Sequence, residues 1–443
     1  MITCPPKILK VSWILLLYTL NFCTIVTSYS CQSPDDNGIL IPQYGNISSS
    51  SEEISSDFAF LNIRLKKIWP NGIVKYKLSP SLTPEDISEV KKAFQEYHTK
   101  TCIKFLPWQP GDYHFITLQV NDSFCGYTSL CKTGGEQIIY FGGDCRKMNT
   151  IIHELGHSLC LAHEHTRVDR EDYINFPGCN KKTIPRARSL TSHSSKGIYD
   201  YASQMHYECG ECNLGGWPID QNTIEYCGPD LTPGLSLLDA DGINSLYDCQ
   251  GCHRHRWRPS VTLTHSEKSD MESFGFNSRD GTPLYPCRVP FRGEVIPGKY
   301  IDSTKSCVVA HGNEVHSVKK DVEVLTFPKG LSYQCSNYKL EKVERVSVDT
   351  TTAVPAGTSF RRWNQRSFLA FASVTKSNSD KEIVIAKVAI DQEENRNGKR
   401  FGNATMVVGS VVHKVNDFKV LTCSLDKDCM IHQWYTNSFE SSI

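Results

Sequence analysis

Residues 153–170 read HELGHSLCLAHEHTRVDR, and the rest of the chain is interpreted around them. His153 and His157 are four residues apart, so on a helix they lie on the same face and can bind one metal ion. The side chain of Glu154 is displaced around the helix but is long enough to reach a water on that ion. His163 is too far round for the same face, so the chain must turn before it. Three imidazoles with one open position are typical of a catalytic zinc.

The composition shows no charge bias. The 443 residues include 48 Lys and Arg against 48 Asp and Glu, which gives a formal net charge of zero. The length allows two or three domains with at least one sizeable core. The charge balance gives no indication of a nucleic-acid partner or of an electrostatic membrane anchor, and we expect neither.

The first 30 residues indicate export. Lys7 and Lys10 precede an apolar run over 11–20, and small residues such as Ser30 follow it. This order is typical of a cleaved signal peptide, predicted over 1–30, and the run is short for an uncleaved bilayer anchor. No later segment is apolar enough to span a membrane, so we expect a secreted, extracellular protein.

The cysteine count agrees with export. Two of the 19 cysteines leave with the signal peptide, and in an oxidising compartment most of the remaining 17 should form disulfides. Acceptor sequons for N-glycosylation start at Asn46, Asn121 and Asn403. Residues 31–63 begin with a polar, aromatic-poor stretch, which predicts a pro-segment with an uncertain boundary.

Two patterns follow the pro-segment. Alternation and apolar periodicity predict strands over 72–78, 102–105, 115–120 and 137–141, and helices over about 83–98, 147–160 and 236–247. This mixture predicts an α+β domain. After residue 251 the pattern is strand-like.

The strand-like part contains an internal similarity. The segment 312–318 resembles 409–415, and the copies are about 90 to 100 residues apart, which predicts two diverged repeats. Chance similarity between short Val-rich strands is the alternative.

The stretch 153–170 is similar to the astacin signature HExxHxxGxxHExxRxD, a branch of the metzincins. Residues 203–207, SQMHY, also resemble the astacin Met-turn, S-x-M-H-Y. The resemblance implies a metzincin catalytic domain over 64–251, with a twisted sheet, a zinc-binding helix and an active-site cleft between two lobes. A mostly β C-terminal domain over 252–443 would follow.

The resemblance also implies roles for single residues. His153, His157 and His163 match the ligands of one Zn2+ per subunit, and Glu154 matches the general base that activates water. Tyr207 matches the tyrosine that ligates zinc at rest and then hydrogen-bonds the oxyanion.

Further positions match residues around the site. Met205 matches the residue packed beneath the metal, and Glu164 matches the carboxylate that meets the mature N-terminus. His165 and His206 are expected to support the site or to lie at the surface, and Arg167 to belong to a structural ion-pair cluster with Asp169 and Arg170. The disulfides implied by the resemblance join Cys102 to Cys249 and Cys125 to Cys145.

The sequence departs from the family at Cys160, where the family has glycine. If this position needs a positive φ, a non-glycine residue costs on the order of 1–2 kcal/mol. Cys131 also stands where many members have glycine, and we hypothesise that Cys131 and Cys160 bridge each other and hold the turn. The latency motif F-x-G-D is absent upstream, which leaves the activation point open; the zone 60–67 is the expected one.

The C-terminal half resembles the DM-nine repeat of invertebrate mannose-binding lectins, through D-G-T-P-L-Y from Asp280 and the P-G-K turn that ends at Lys299. The resemblance implies that Asp280 and Lys299 contact sugar hydroxyls. A turn acid and a solvated lysine are the alternative.

These observations favour a secreted zinc endopeptidase that acts on proteins or peptides, with a C-terminal domain that targets glycans or substrates. One alternative is a catalytically weakened, protease-like lectin or binding protein, impaired at Cys160. Another keeps the protease but makes the C-terminal domain a protein-binding module.

Overall fold

The structure, a computed structural model, describes residues 67–179, 197–210, 214–220, 227–229, 234–274, 281–328, 336–342, 352–360, 366–375, 381–391 and 400–425. The predicted signal peptide and pro-segment lie outside the described residues, and so does Asp280. Within them, every helix is too short or too polar to cross a bilayer.

A five-stranded sheet begins the described part of the chain. In space the strands follow the order β2-β1-β3-β5-β4. Four of them run parallel, and β4 pairs antiparallel with β5 at the edge. Their bounds are β1 Ile73–Leu78, β2 Lys104–Pro107, β3 Phe115–Val120, β4 Gly126–Tyr127 and β5 Glu136–Phe141.

Two helices share the core of this sheet. Helix α1, Pro84–Lys100, begins with a capping box in which Thr83 and Asp86 each accept a hydrogen bond from the other's backbone N–H. Helix α2, Met148–Ser158, carries the first two candidate ligands. The hydroxyl of Tyr97, on α1, donates to a carbonyl oxygen of α2 at 2.8 Å. The two helices are therefore joined by a buried polar contact as well as by apolar packing.

The described residues between α2 and the next helix contain little regular structure. Short 3₁₀ turns occupy Glu164–Thr166 and Arg170–Asp172, and β6 (Ile174–Asn175) pairs antiparallel with β7 (Trp217–Pro218). Helix α3, Leu237–Leu246, closes this part of the fold. The α+β architecture predicted from the sequence is confirmed, and the three helices begin and end within two residues of their predicted bounds.

In the residues that the structure describes, the second half is a network of β-strands with one short α-helix, α4, His265–Ser269. The strands are β8 Arg256–Pro259, β9 Tyr285–Phe291, β10 Glu294–Ile301, β11 Ser306–His311, β12 Glu314–Val318, β13 Glu323–Thr326, β14 Ser336–Lys342, β15 Pro355–Ser359, β16 Arg366–Thr375, β17 Lys381–Asp391, β18 Arg400–Phe401, β19 Ala404–Val408, β20 Val411–Val415 and β21 Lys419–Leu425.

Strand connectivity is the same in two parts of this network. In the first part, β9, β10, β11 and β12 pair in succession, and β13 returns to pair with β9 and β8. In the second, β16, β17, β19 and β20 pair in succession, and β21 returns to pair with β16 and β14. Gly312 and Gly409 occupy equivalent hairpin turns with φ of 61° and 62°. This topology supports the interpretation of two diverged repeats.

Disulfides join distant parts of both halves. The pairs Cys102–Cys249 and Cys125–Cys145 are bonded in the structure, in the arrangement that the resemblance implies. Cys179 also belongs to a disulfide. Further bridges join Cys131 to Cys160, Cys209 to Cys227, Cys252 to Cys423, and Cys287 to Cys307.

Candidate metal centre

Three imidazoles converge at the end of helix α2. The Nε2 atom of His163 lies 3.0 Å from Nε2 of His153 and 3.1 Å from Nε2 of His157. A tetrahedral zinc ion with Zn–N bonds of ~2.0–2.1 Å separates its ligand nitrogens by roughly 3.3 Å. Both distances are therefore close to the spacing that such an ion requires, and the three histidines form a group able to hold a metal.

The outer nitrogens of two of these rings are held by backbone carbonyls. Nδ1 of His153 lies 2.6 Å from the carbonyl oxygen of Gln204, and Nδ1 of His157 lies 2.8 Å from that of Leu161. A carbonyl can only accept, so each Nδ1 carries the proton and each Nε2 presents a lone pair to the centre. This arrangement orients metal-binding histidines and makes the donor set suitable for zinc.

Burial keeps two of the three ligand candidates neutral. It lowers the pKa of His157 to about 4 and the pKa of His163 well below its ordinary value. A metal binds the deprotonated nitrogen, so these rings need lose no proton near neutral pH before they bind an ion.

Glu154 lies on α2 between the first two ligands and is buried. The backbone of Gly126, on edge strand β4, passes directly beside its carboxylate. A β-carbon at Gly126 would lie 3.0 Å from the carboxyl carbon of Glu154 and would overlap Oε1. Only glycine leaves this carboxylate in place. Gly126 was not predicted from the sequence, because the requirement for glycine arises from a strand remote from α2 in the chain.

The Met-turn lies against the helix as the resemblance implies. A β-carbon at Gly156 would approach Sδ of Met205 to 2.6 Å, so the glycine lets the thioether pack beneath α2. The ring of Tyr207 lies 4.4 Å from the ring of His163 and 4.3 Å from that of His165, measured between centroids. The structure therefore places Tyr207 beside the third imidazole.

A buried carboxylate at the start of α3 holds the Met-turn. The side chain of Asp239 accepts from the Ser203 hydroxyl at 2.6 Å and from the backbone N–H of Gln204 at 2.8 Å. Asp200 accepts from the Ser236 hydroxyl at 2.5 Å, and burial together with Asp239 raises its pKa well above the ordinary value. Neither acid was predicted from the sequence, although the Ser236-x-x-Asp239 spacing is that of a capping box.

The turn between the second and third ligands ends α2 in a Schellman motif. The N–H of Leu161 donates to the Gly156 carbonyl and the N–H of Cys160 to that of His157, both at 2.9 Å. Cys160 takes the left-handed position of this motif with a φ of 75°, and Cys131 has a φ of 64°. The two cysteines are bonded to each other, as hypothesised from the sequence.

After the third ligand, Arg167 forms a buried hub. Its guanidinium contacts Glu164 at 2.8 Å and Asp169 at 2.9 Å. It also donates to the carbonyl oxygens of Gly197 at 2.9 Å and Ile198 at 3.1 Å. Arg167 thus has the structural role predicted for it. The proposed meeting of Glu164 with a mature N-terminus stays a prediction, and in the structure this carboxylate pairs with Arg167.

Two further histidines lie behind the ligands and are buried. The ring of His165 is stacked 5.2 Å from that of His163, and Nε2 of His206 lies 2.8 Å from the Tyr199 hydroxyl oxygen. The sequence left open whether these histidines support the site or lie at the surface, and in the structure both His165 and His206 are buried beside it.

The candidate sugar-contacting pair is described only in part. Lys299 lies on β10, half-buried, and its backbone pairs with Pro286 on β9 and Val308 on β11. Asp280 is outside the described residues, so the pair stays a prediction.

Comparisons with known proteins match each half of the chain. The astacin peptidase family matches residues 61–248, and the DM9 repeat matches residues 278–389. The zinc metalloproteinase nas-6 of Caenorhabditis elegans is 32% identical over 206 residues, which are 44% of this chain and 58% of that protein. The embryonic protein UVS.2 of Xenopus laevis is 35% identical over 200 residues, which are 42% of this chain and 37% of that protein.

A solved structure also matches. High choriolytic enzyme 1, a hatching-enzyme zinc protease from Oryzias latipes, is 24% identical and matches 46% of this chain and 100% of its own, with a TM-score of 0.35. The chain spans about half the length of the curated relatives it matches, between 38% and 58% for the first three. The two family matches together show that the chain contains an astacin peptidase domain, and that a DM9 repeat region follows it.

Proposed function

We propose that this chain is a zinc-dependent endopeptidase that hydrolyses peptide bonds in proteins or peptides. The observation that carries the proposal is the convergence of three imidazoles, in which Nε2 of His163 lies 3.0 Å and 3.1 Å from the other two Nε2 atoms and two Nδ1 atoms are held by backbone carbonyls. His153, His157 and His163 would hold one Zn2+ ion. The donor set of three neutral nitrogens leaves a position for water or substrate.

The mechanism divides between the ion and the protein. When bound, zinc supplies Lewis acidity and makes water acidic enough to lose a proton near neutral pH. Glu154 accepts that proton as general base and delivers it to the leaving amine. Tyr207 lies beside His163 and donates a hydrogen bond to the oxyanion that develops on the attacked carbonyl. Gly126 keeps the Glu154 carboxylate in position.

The alternative of a weakened protease depends on Cys160. A non-glycine residue could fail to form the turn that brings His163 to the other ligands. Cys160 adopts the required positive φ and is bonded to Cys131, with His163 beside the other two imidazoles. This geometry favours an active enzyme over a protease-like binding protein.

Gelatin hydrolysis tests the proposal. Correctly processed protein should hydrolyse gelatin, a zinc chelator should abolish the activity, and added zinc should restore it. Glu154→Ala should abolish hydrolysis while the protein still binds zinc, whereas Glu314→Ala, at an exposed glutamate of the β region, should leave hydrolysis unchanged. Processed, zinc-loaded protein without hydrolytic activity would refute the proposal.

We further propose that the enzyme is secreted and processed. The disulfides on both halves of the chain support an oxidising compartment. Mass spectrometry of the secreted protein should find a mature N-terminus within residues 60–67 and glycans on Asn121 and Asn403. An N-terminus outside this zone would contradict the proposed activation point.

The C-terminal region is proposed to bind glycans and so to target the protease to its substrates. Its match to the DM9 repeat supports this role. Glycan-array binding, with a preference for mannose, should be lost on Asp280→Ala or Lys299→Ala. Binding that survives both substitutions, or binding only to proteins, would favour a protein-binding module.

A further inference from the structure

The DM9 region contacts the peptidase domain through a buried ion-pair cluster. Arg288, on β9, is nearly inaccessible to solvent and contacts two carboxylates. Its Nη1 lies 2.6 Å from Asp241 on α3, and its Nε lies 2.7 Å from Glu323 on β13. The guanidinium also lies 4.5 Å from the centre of the Trp257 ring. Removing one member of such a buried cluster would leave another charge without its partner, which is strongly destabilising.

Glu323 uses its second oxygen on the peptidase domain. Oε1 of Glu323 accepts from the backbone N–H of Ile198 at 3.2 Å, while Oε2 contacts Arg288. The carbonyl oxygens of Gly197 and Ile198 accept in turn from Arg167. The carboxylate of Glu323, in the DM9 region, therefore bonds to the 197–198 backbone, and this backbone in turn bonds to Arg167 near the candidate metal centre.

The same contacts continue to the third ligand. Arg167 pairs with Glu164, and the N–H of Glu164 donates to the Met205 carbonyl at 3.0 Å. His163 precedes Glu164 directly. His153 and His157 are placed by helix α2, whereas His163 lies on irregular chain, so its position depends on what anchors the residues on either side.

We propose that Glu323 of the DM9 region is a positioning residue for the metal centre. Through the 197–198 backbone and Arg167, it fixes the segment that presents His163. The inference rests on the proposed zinc site but assigns a new function to the second half of the chain. The DM9 region would then be part of the structure that holds the metal, and not only a module that targets the enzyme.

Apolar packing supports a fixed relation between the two parts. Val295 and Phe360 of the DM9 region belong to the same buried cluster as Tyr173 and Tyr201 of the peptidase domain. The Tyr173 hydroxyl also donates to Asp321 at 2.9 Å. This second polar contact crosses the same interface without bonding to the 197–198 backbone, so it offers a matched control.

The test compares zinc affinity in three full-length variants. In Glu323→Ala the Ile198 N–H loses its acceptor, and in Glu323→Asp the carboxylate keeps its charge but is withdrawn by one methylene. We expect both to raise the Kd for zinc about threefold to tenfold, less than the roughly 10- to 100-fold typical of groups that bond directly to a ligand. Tyr173→Phe should keep the wild-type Kd. Competition with a chromogenic chelator measures these values.

Kinetics supply the second readout. Glu323→Ala and Glu323→Asp should lower kcat with little change in KM, because His163 is displaced and the substrate contacts are not. A wild-type Kd for zinc and a wild-type kcat in folded Glu323→Asp would overturn the proposal. An equal loss of zinc affinity in Tyr173→Phe would also overturn it, since any loosening of the interface would then suffice. Wild-type protein that binds zinc without hydrolysing gelatin would refute the endopeptidase and leave the zinc comparison intact.

Discussion

The bond between Cys131 and Cys160 offers the most quantitative prediction, because two separable effects act at the same pair. The disulfide closes a loop with a sequence separation of 29 residues, and both cysteines have φ in the left-handed region. Replacing the pair by two alanines removes the bond but keeps the unfavourable backbone. Replacing it by two glycines removes the bond and also relieves the backbone.

The magnitudes follow from these two features. A loop of 29 residues predicts a loss of about 3.6 kcal/mol in the free energy of unfolding when the bond is removed. A left-handed conformation costs a non-glycine residue roughly 1–2 kcal/mol, and glycine avoids this cost. Glycine is itself less favourable by about 0.4–1 kcal/mol per residue, because it has more conformational freedom to lose from the unfolded chain. The alanine pair should therefore lose about 3.6 kcal/mol, and the glycine pair should be about 1–2 kcal/mol more stable than the alanine pair.

Denaturant unfolding at a fixed excess of zinc measures these differences. Tryptophan fluorescence and far-UV circular dichroism, followed on the same samples, show whether the transition is cooperative. Cys125 and Cys145 supply the matched control, because they are also bonded to each other and neither is among the described residues with a positive φ outside glycine. At that pair the order should reverse, with alanines at least as stable as glycines.

Either comparison can refute the reasoning. If the alanine and glycine pairs at 131 and 160 unfold with equal free energies, backbone conformation does not explain why the family has glycine there. If the wild-type protein is no more stable than the glycine pair, the disulfide does not stabilise the turn.

Three further predictions concern catalysis and pH. Gly126→Ala should displace the Glu154 carboxylate and lower kcat on the order of tenfold to 100-fold at unchanged zinc content, whereas in Gly402→Ala the new β-carbon meets its nearest atom at 3.6 Å and kcat should not change. Tyr207→Phe should lower kcat about 100-fold with zinc still bound in a one-to-one ratio; unchanged kcat would exclude an oxyanion role. Burial lowers the pKa of His98 from 6.5 to about 4, so the unfolded chain binds more protons in this window and the free energy of unfolding should fall as pH drops from 6.5 to 4. His98→Gln should flatten that dependence in denaturant titrations at several pH values, and a slope equal to that of the wild type would contradict it.

The local parts of the site could be predicted from the sequence. The four-residue spacing of His153 and His157 identifies one face of a helix without any knowledge of tertiary structure. Helix α1 was recognisable from the cap at Thr83 and the acids that follow it, because capping depends on neighbours in sequence. The bond between Cys131 and Cys160 could be hypothesised because both cysteines stand at positions where glycine is common in the family.

Other features depend on contacts between segments far apart in the chain. Nothing near Gly126 in the sequence shows that its backbone passes beside Glu154. The bonds of Asp239 to the Met-turn span 35 and 36 residues, and the bond of Glu323 to Ile198 spans 125. Sequence periodicity reports which face of an element is buried but not what lies against it, so these residues required the structure.

The three candidate ligands differ in what determines their positions, and this difference explains where the site is sensitive. His153 and His157 would keep their spacing in any stable helix of this sequence. His163 is placed by a left-handed turn on one side, held by a disulfide, and by the Arg167 hub on the other. Both supports connect it to remote segments, one to the connection between β4 and β5 and the other to the DM9 region. Substitutions far from the metal should therefore act on zinc binding mainly through the third ligand.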